Sequence, residues 1–446
     1  MLTLGLARAF THKGHTVQCY KVGPDFIDPG FHSAVTERTS RNLDGWMLGE
    51  AYCTRCFKEH AQGADIAIVE GVMGLFDGYD GKTDAGSTAQ IAKWLDLPVV
   101  LVVDAGSFAR SAGALVLGYE QYDPDVTIAG VIFNRVAGAS HYESLRDGVV
   151  ARCGVEVLGY VPRNAGWQIP ERHLGLVMAH EIEKLHASVS SLSQQLEETV
   201  NLDRLYALSG KRDVSGPGHV PPARSVSPGG KGPVIGVARD EAFCFYYEDN
   251  IDLLKQAGAQ ICFFSPVHDR SLPKSVHGLY LGGGYPELHA ALLEKNLAMR
   301  RDIVSLCRSG APVYAECGGF LYLLQGMIDH HNRRFEMAGF FPAEARMLPG
   351  LQRFGYVEVA AQNGCPFLLS GQRIRGHEFH YSDISRMPDS VERCYRVTRK
   401  RSKKVLREGY CTGSVLAGYI HLHFASNPAF VENFVDACRR RMKDTA

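Results

Sequence analysis

Cys317 stands between an apolar run and two glycines, in APVYAECGGFLYLL. A short strand, a sharp turn and a helix in that order would lift the thiol clear of the backbone. The small residues after it admit a substrate, and a helix N-terminus favours thiolate. The same placement also suits an ordinary buried cysteine at a strand end. Two further stretches bear on the choice. LYLGGGYPE closes an apolar run with Gly282, Gly283 and Gly284, a loop able to aim backbone N–H groups at a developing oxyanion. AGYIHLHFASNP places His421 and His423 after another such run, and a Cys–His pair needs its members to meet in space, not in sequence.

A second set of chemical groups lies in the N-terminal half. KVGPDFIDPGFH carries Lys21, Asp25 and Asp28, and EGVMGLFDG carries Glu70 and Asp77. Both segments follow strand-like runs, and open parallel sheets gather ligands where strands end. Lys21 suits a phosphate. Acidic groups at neighbouring strand ends suit Mg²⁺, which takes one or two carboxylates with phosphate oxygens and water. Asp and Gly after strands are also common turn chemistry, so the repetition of the pattern carries more than any single residue.

The elements that must position these groups alternate. TVQCYKV, ADIAIVEGV, PVVLVVDAG, IAGVIFNRV and VEVLGYVPR read as buried strands, with helical patterns such as GSTAQIAKWLDL and ARSAGALVLGYEQY between them. Residues 181–208 read as one long helix. A Pro/Gly/Ser-rich linker follows at 209–232, and a second alternating series begins at VIGVARD. The expectation is α/β throughout: two domains, 1–208 and 233–446, each a mostly parallel sheet with helices on both faces. Cys53 and Cys56 form a CxxC without a second pair at zinc spacing, so they read as helix-surface cysteines. His330 and His331, in DHHNRR, read as a solvated turn.

Composition narrows the class. The 446 residues are 45% hydrophobic and 22% charged, with 48 basic and 48 acidic side chains, which gives no reason to expect a nucleic-acid binder. No apolar run is long enough to span a membrane, and no secretory leader is evident. Twelve cysteines scattered through a long chain fit a reduced, cytoplasmic protein.

The C-terminal half resembles a class I glutamine amidotransferase domain of the variety fused to cobalamin-pathway amidating enzymes. YAECGGFLYL, GLYLGGGYPELHA, RGHEFHYS and YIHLHFAS carry the likeness. The resemblance implies that Cys317 attacks the glutamine amide and His421 is the base. Many relatives place a base-orienting Glu two residues after that His, where this chain has His423. The third triad member is therefore open, as is the choice between His421 and His423. His377 and His380, in HEFHYS, line either the glutaminase–synthetase interface or a half-polar strand face.

KVGPDFIDPGFH and EGVMGLFDG, with SRNLDGWML and GVIFNRV, resemble the synthetase half of the cobyrinic acid a,c-diamide synthase family, whose N-terminal fold is similar to dethiobiotin synthetase. The resemblance implies a C–N bond-forming ligase that activates two corrin carboxylates with ATP and amidates them with ammonia from glutamine. By position, Lys21 and Asn134 would bind nucleotide, and Glu70 and Asp44 would be metal ligands. Asp25, Ile27, Asp28 and Asp77 would place the substrate carboxylate and the acyl phosphate. The expected partners are a corrinoid, ATP and L-glutamine, with Mg²⁺ as cofactor, and a homodimer is left open. Hydrogenobyrinic acid or a nickel sirohydrochlorin are same-family alternative substrates.

Such a synthetase needs a strand, GxxxxGK[ST] and a helix. GSFARSAG, SGKRD and SPGGKGP each lack part of that pattern. The resemblance sets the phosphate loop just before LTLGLARAFTHKG, so Met1 reads as an internal methionine of a longer frame. The alternative is a form with glutaminase activity only.

Overall fold

The computed structural model describes residues 1–167, 171–172, 175–176, 185–210, 232–399 and 405–445. They belong to two compact units, Met1–His219 and Val220–Ala446. Most of the linker read at 209–232 lies outside the described residues.

In the first unit the alternation runs α1 (Leu2–His12), β1 (Val17–Val22), α2 (Asp28–Thr36), β2 (Arg41–Leu43), α3 (Gly45–Ala61) and β3 (Ile66–Glu70). It continues with α4 (Thr88–Trp94), β4 (Val99–Asp104), α5 (Ser111–Tyr122), β5 (Ile128–Val136), α6 (Ala139–Val150) and β6 (Glu156–Pro162). β7 (Glu171–Arg172) and β8 (Gly175–Leu176) form a small antiparallel pair, and α7 (Leu185–Thr199) and α8 (Leu202–Ser209) follow. The strands make two parallel sheets, β2-β1-β3 and β4-β5-β6. Every residue of β1 is buried, as a central strand covered on both faces requires. The short β2 escapes sequence reading because three residues show no period.

Among the described residues the outer edges of β3 and β4 carry no ladder partner. Between them opens a cleft of about 490 Å³, lined by Ile68, Glu70, Val100 and Val102 and by Leu2 and Leu6 of α1. Val102 is 48% exposed there. Two unpaired edges with apolar walls form the surface that a further strand would cover.

The helix read over 181–208 is two helices where it is described. Asn201 breaks it: its side chain caps α8 through Arg204 N–H. Val200 bridges instead to Gly159, where a Cβ would sit 2.1 Å from Thr199 O. Gly5 has the same use in α1, since a Cβ there would stand 2.8 Å from Leu192 and Leu196 of α7. Cys53 and Cys56 are buried against Tyr20 and Phe57 rather than lying on a helix surface.

The second unit opens with β9 (Val234–Ala238), α9 (Glu248–Gln256), β10 (Gln260–Phe264), β11 (Gly278–Leu281), α10 (Ala290–Lys295), α11 (Leu297–Arg308), β12 (Val313–Glu316) and α12 (Gly318–Leu323). β13 (Leu324–Ile328), β14 (Arg334–Glu336), β15 (Phe341–Met347), β16 (Arg353–Ala361), β17 (Arg373–His380) and β18 (Ser382–Ile384) follow. β19 (Glu392–Arg399), β20 (Val405–Thr412), β21 (Val415–Gly418), β22 (His421–Leu422) and α13 (Ala429–Asp444) complete it. The large sheet runs β10-β9-β11-β12-β21-β20-β19-β16-β17-β22. It is parallel as far as β21 and antiparallel beyond. A smaller sheet, β14-β13-β15-β18, stands beside it, and His330 and His331 lie in the exposed turn between β13 and β14. The core under β11 and β12 is aromatic, with Tyr280, Tyr314, Phe424 and Phe430 in mutual ring contact.

Candidate active sites in the two units

In the first unit β1 and β3 run in register, so Lys21 and Glu70 emerge side by side at the strand ends. The Lys21 side chain is only 6% exposed. Its Nζ donates to Asp28 and lies 3.5 Å from Glu70 Oε1, 4.0 Å from Asp25 Oδ2 and 3.3 Å from Gly71 O. Asp25 Oδ1 accepts Ile27 N–H at 2.7 Å and Asp28 N–H at 3.1 Å, a turn that starts α2. α2 then brings in His32, one turn after Asp28 and on the same face. His32 Nε2 is 2.5 Å from Glu70 Oε2, and Nδ1 is 3.1 Å from Ser40 Oγ. The sequence reading missed His32, although its four-residue spacing from Asp28 in a helix was the available signal.

These contacts set the charges. Burial pushes Lys21 down, but Glu70, Asp28 and Asp25 hold it above its ordinary value. Burial pushes Glu70 up, yet the His32 hydrogen bond and the Lys21 charge bring it to about 2. Asp25 is raised by burial and by Asp28 against the pull of Lys21. Three partly exposed carboxylates thus face one ammonium. That oxygen-only donor set with excess negative charge fits a hard cation carrying phosphate.

The remaining expected residues are placed differently. Ile27 caps α2 and packs on the core of α1 and α7. Asp77 Oδ2 accepts Gly74 N–H at 3.0 Å in the loop after β3. Asp44, read from sequence as a metal candidate, is a fully buried helix cap whose Oδ1 accepts Met47 N–H at 2.7 Å. Asn134 lies two residues before the end of β5, opposite Asp104 at the end of β4, and its Oδ1 accepts Arg135 N–H at 2.9 Å. Arg135 NH1 lies 2.9 Å from Asp104, and the two, with Gly106, Ser107, Phe108 and Arg163, line a pocket of about 520 Å³.

In the second unit Cys317 caps α12 with φ 44° and ψ −103°, a strained conformation for a residue with a Cβ. Its N–H is held by Gly418 O at 2.7 Å. The glycines after it are required by close approach: a Cβ on Gly319 would sit 2.3 Å from Leu281 O. The Gly282 N–H donates to Tyr246 Oη at 2.8 Å, and Gly283 bridges to Phe245, whose N–H donates to Gly283 O at 3.0 Å. A Cβ on Gly283 would stand 2.4 Å from His421 Cε1.

β22 delivers His421, 1% exposed, to the side of Cys317, whose charge acts on the ring, and the Cys317 thiol donates to Phe379 O at 4.0 Å. Its Nδ1 faces Glu316 Oε2 at 3.8 Å. Glu316 is the residue before Cys317 and is 1% exposed. It accepts Tyr280 Oη at 3.1 Å, Tyr314 Oη at 2.7 Å and Leu422 N–H at 3.0 Å. Burial pushes His421 down, but Cys317 and Glu316 raise it to about 9. His423 is elsewhere: fully buried, 3.7 Å from Asp249 Oδ2 and in tilted ring contact with Tyr247 at 4.6 Å. Burial lowers it to about 4 against the Asp249 charge, so it is neutral at pH 7.

His377 pairs with His421 across β17 and β22, stacks on its ring at 5.0 Å and meets Tyr247 Oη at 3.0 Å. His380 stacks on Tyr419 at 3.8 Å. Both lie inside the unit, not on a half-polar face. Glu316 is the residue that the sequence reading missed here. It was in plain view beside Cys317, but nothing in the sequence says that β12 and β22 converge.

Residues 1–177 match the family described as CobQ/CobB/MinD/ParA nucleotide binding domain, and residues 234–429 the CobB/CobQ-like glutamine amidotransferase domain. Three curated relatives, each named cobyrinate a,c-diamide synthase, are similar along nearly the whole chain. The Syntrophotalea carbinolica protein is 44% identical over 440 residues, 98% of this chain and 95% of its own. The Salmonella typhimurium protein is 42% identical over 98% and 95%, respectively. The Methanosarcina acetivorans protein is 40% identical over 98% and 92%.

Proposed function

We infer the chemistry from one premise: the chain belongs to the family of the cobyrinate a,c-diamide synthases. It is an ATP- and glutamine-dependent ligase that amidates the a and c carboxylates of cobyrinic acid in cobalamin biosynthesis. The observation that carries this reading is the 44% identity over 98% of the chain to a synthase of that name.

A carboxylate is a poor electrophile because it is already anionic. Transfer of the ATP γ-phosphoryl group makes an acyl phosphate with a good leaving group. The buried Lys21 ammonium at the end of β1, among Asp28, Glu70 and Asp25, supports its assignment to the nucleotide phosphates. Glu70, held ionised by Lys21 and His32, is the residue that would hold Mg²⁺, with Asp25 and Asp28 beside it. The cation, when bound, offsets the charge of the transferring phosphoryl group. His32 fixes Glu70 in one rotamer. The pocket beside Asn134, at the ends of β4 and β5, supports placing the adenine there.

Ammonia comes from the second unit. His421 takes the Cys317 proton, and the imidazolium stabilises the thiolate that attacks the glutamine amide. Gly283 and Gly284 N–H groups meet the oxyanion. Glu316 takes the orienting role that position 423 lacks. Ammonia made and used within one protein stays unprotonated and nucleophilic, which bulk water at neutral pH would not allow.

The test supplies ATP, Mg²⁺ and glutamine with cobyrinic acid, hydrogenobyrinic acid or a nickel sirohydrochlorin in parallel, and counts amides by mass. Two ATP-dependent amides on cobyrinic acid alone are expected. Amidation confined to another tetrapyrrole, or glutamate release with no amide formed, would overturn the reading.

A further inference from the structure

β22 carries His421 at the end of the large sheet, and among the described residues its ladder partner is β17 alone. The pairs are Gly376 with Leu422 and His377 with His421. The two strands approach closely, since a Cβ on Gly376 would stand 2.1 Å from His421 O. His423 N–H adds a bond to Arg375 O at 3.2 Å. The other edge of β22 is buried without a strand beside it, so its N–H and C=O groups need partners of another kind.

Two side chains supply them. Glu316 Oε1 accepts Leu422 N–H at 3.0 Å. Asn250 Nδ2 donates to Leu422 O at 2.9 Å, and Asn250 Oδ1 accepts Phe424 N–H at 2.8 Å. These are the carbonyl before His423 and the amide after it. A residue on a parallel strand opposite His423 would bond the same two groups, so the Asn250 carboxamide stands in for a backbone peptide. Asn250 is fully buried in the first turn of α9, where its own N–H bonds Tyr247 O at 2.9 Å. Asparagine is a weak helix former. Its amide, however, presents a donor and an acceptor together, which neither leucine nor an ionised aspartate of similar size can do.

We propose that Asn250 is a positioning residue for His421 in the glutaminase reaction, a claim that rests on His421 being the base. It acts through the backbone of β22. Glu316 and Asn250 grip Leu422 by its N–H and its C=O, so the peptide units on either side of Leu422 each have one orientation. The imidazole therefore starts from a fixed point toward Cys317 and toward Glu316 Oε2, 3.8 Å from its Nδ1. Without the amide, Leu422 O and Phe424 N–H would be buried and unbonded, and turning the strand is the way to relieve that cost. A displacement of the base on the order of 1 Å costs roughly 10²-fold in rate. It leaves glutamine binding, which does not need the base, unchanged.

The experiment uses the full chain carrying Asn250→Leu, which removes both bonds, or Asn250→Asp, which keeps the acceptor for Phe424 N–H and loses the donor. Glutamate release gives kcat and KM. Iodoacetamide labelling of the Cys317 peptide, followed by mass, gives the pH profile of that thiol. The expected kcat falls roughly 10-fold in Asn250→Asp and roughly 10²-fold in Asn250→Leu, with KM for glutamine unchanged. The labelling profile should move to higher pH in both, because a displaced imidazolium no longer holds the thiolate. A parental kcat, a lower kcat with an unmoved labelling profile, or failure of both variants to fold would each overturn the proposal and leave Asn250 a packing residue. His421→Ala runs alongside. Glutaminase activity that survives it removes the base assignment and the proposal together. Activity lost there but kept in the Asn250 variants removes the positioning role alone.

Discussion

Glu316 Oε2 lies 3.8 Å from His421 Nδ1, and the two residues flank Cys317 from different strands. The carboxylate before the nucleophile thus stands behind the base. Glu316→Gln keeps the shape and removes the charge that helps raise His421 to about 9. Glutaminase kcat should fall on the order of 10²-fold or more. The alkaline limb of its pH profile should move to lower pH, because a less stabilised imidazolium loses its proton earlier. Synthesis with added ammonium should persist. An unmoved profile would mean that Glu316 only packs.

Cys317→Ala should abolish glutamine-dependent amidation and leave ammonium-dependent amidation intact, read as amide mass per tetrapyrrole. Loss of both activities would place Cys317 in the structure of the synthetase reaction, not in the glutaminase.

Gly283→Ala places a methyl 2.4 Å from His421 Cε1 at an ordinary φ, so the ring must shift rather than the backbone. Glutaminase activity should fall steeply in a protein with an unchanged circular-dichroism spectrum. A variant as active as the parent would show that the ring has room to spare.

Lys21→Met leaves three carboxylates facing one another without their cation. The chain should lose about 3 kcal/mol of stability in denaturant titration, together with ATP-dependent amidation. The balancing variant Lys21→Met with Asp28→Asn should recover part of the stability and none of the activity. Recovery of activity would remove Lys21 from the phosphate.

His423 supplies a pH prediction. Burial holds it at about 4, below the ordinary value near 6.5. Below pH 6.5 the unfolded chain therefore binds a proton that the folded chain refuses. Stability should fall as pH drops from about 6.5 to about 4, by up to roughly 3 kcal/mol from this group. His423→Asn should flatten that slope in chemical denaturation at several pH values. Glu70 is shifted in the same direction at lower pH: depressed to about 2, it contributes stability that is lost only as pH falls below its unfolded value toward 2.

The sequence by itself determined the α/β class, the Cys317 elbow and the gathering of Lys21, Asp25, Asp28 and Glu70 at strand ends. Each of these is written locally. Apolar runs of strand length, glycines after a cysteine and carboxylates after a run need only their own neighbours. Tertiary structure decided what depends on convergence between distant strands. Only the meeting of β12 and β22 makes Glu316 the neighbour of His421, and only the fold of α9 against the large sheet gives His423 to Asp249. Likewise α2 had to pack beside β3 before His32 reached Glu70, while Asp44 had to close α3 as its cap. A side chain's type is fixed by the sequence, but its charge and partner are fixed by burial and by which strand lies next to its own.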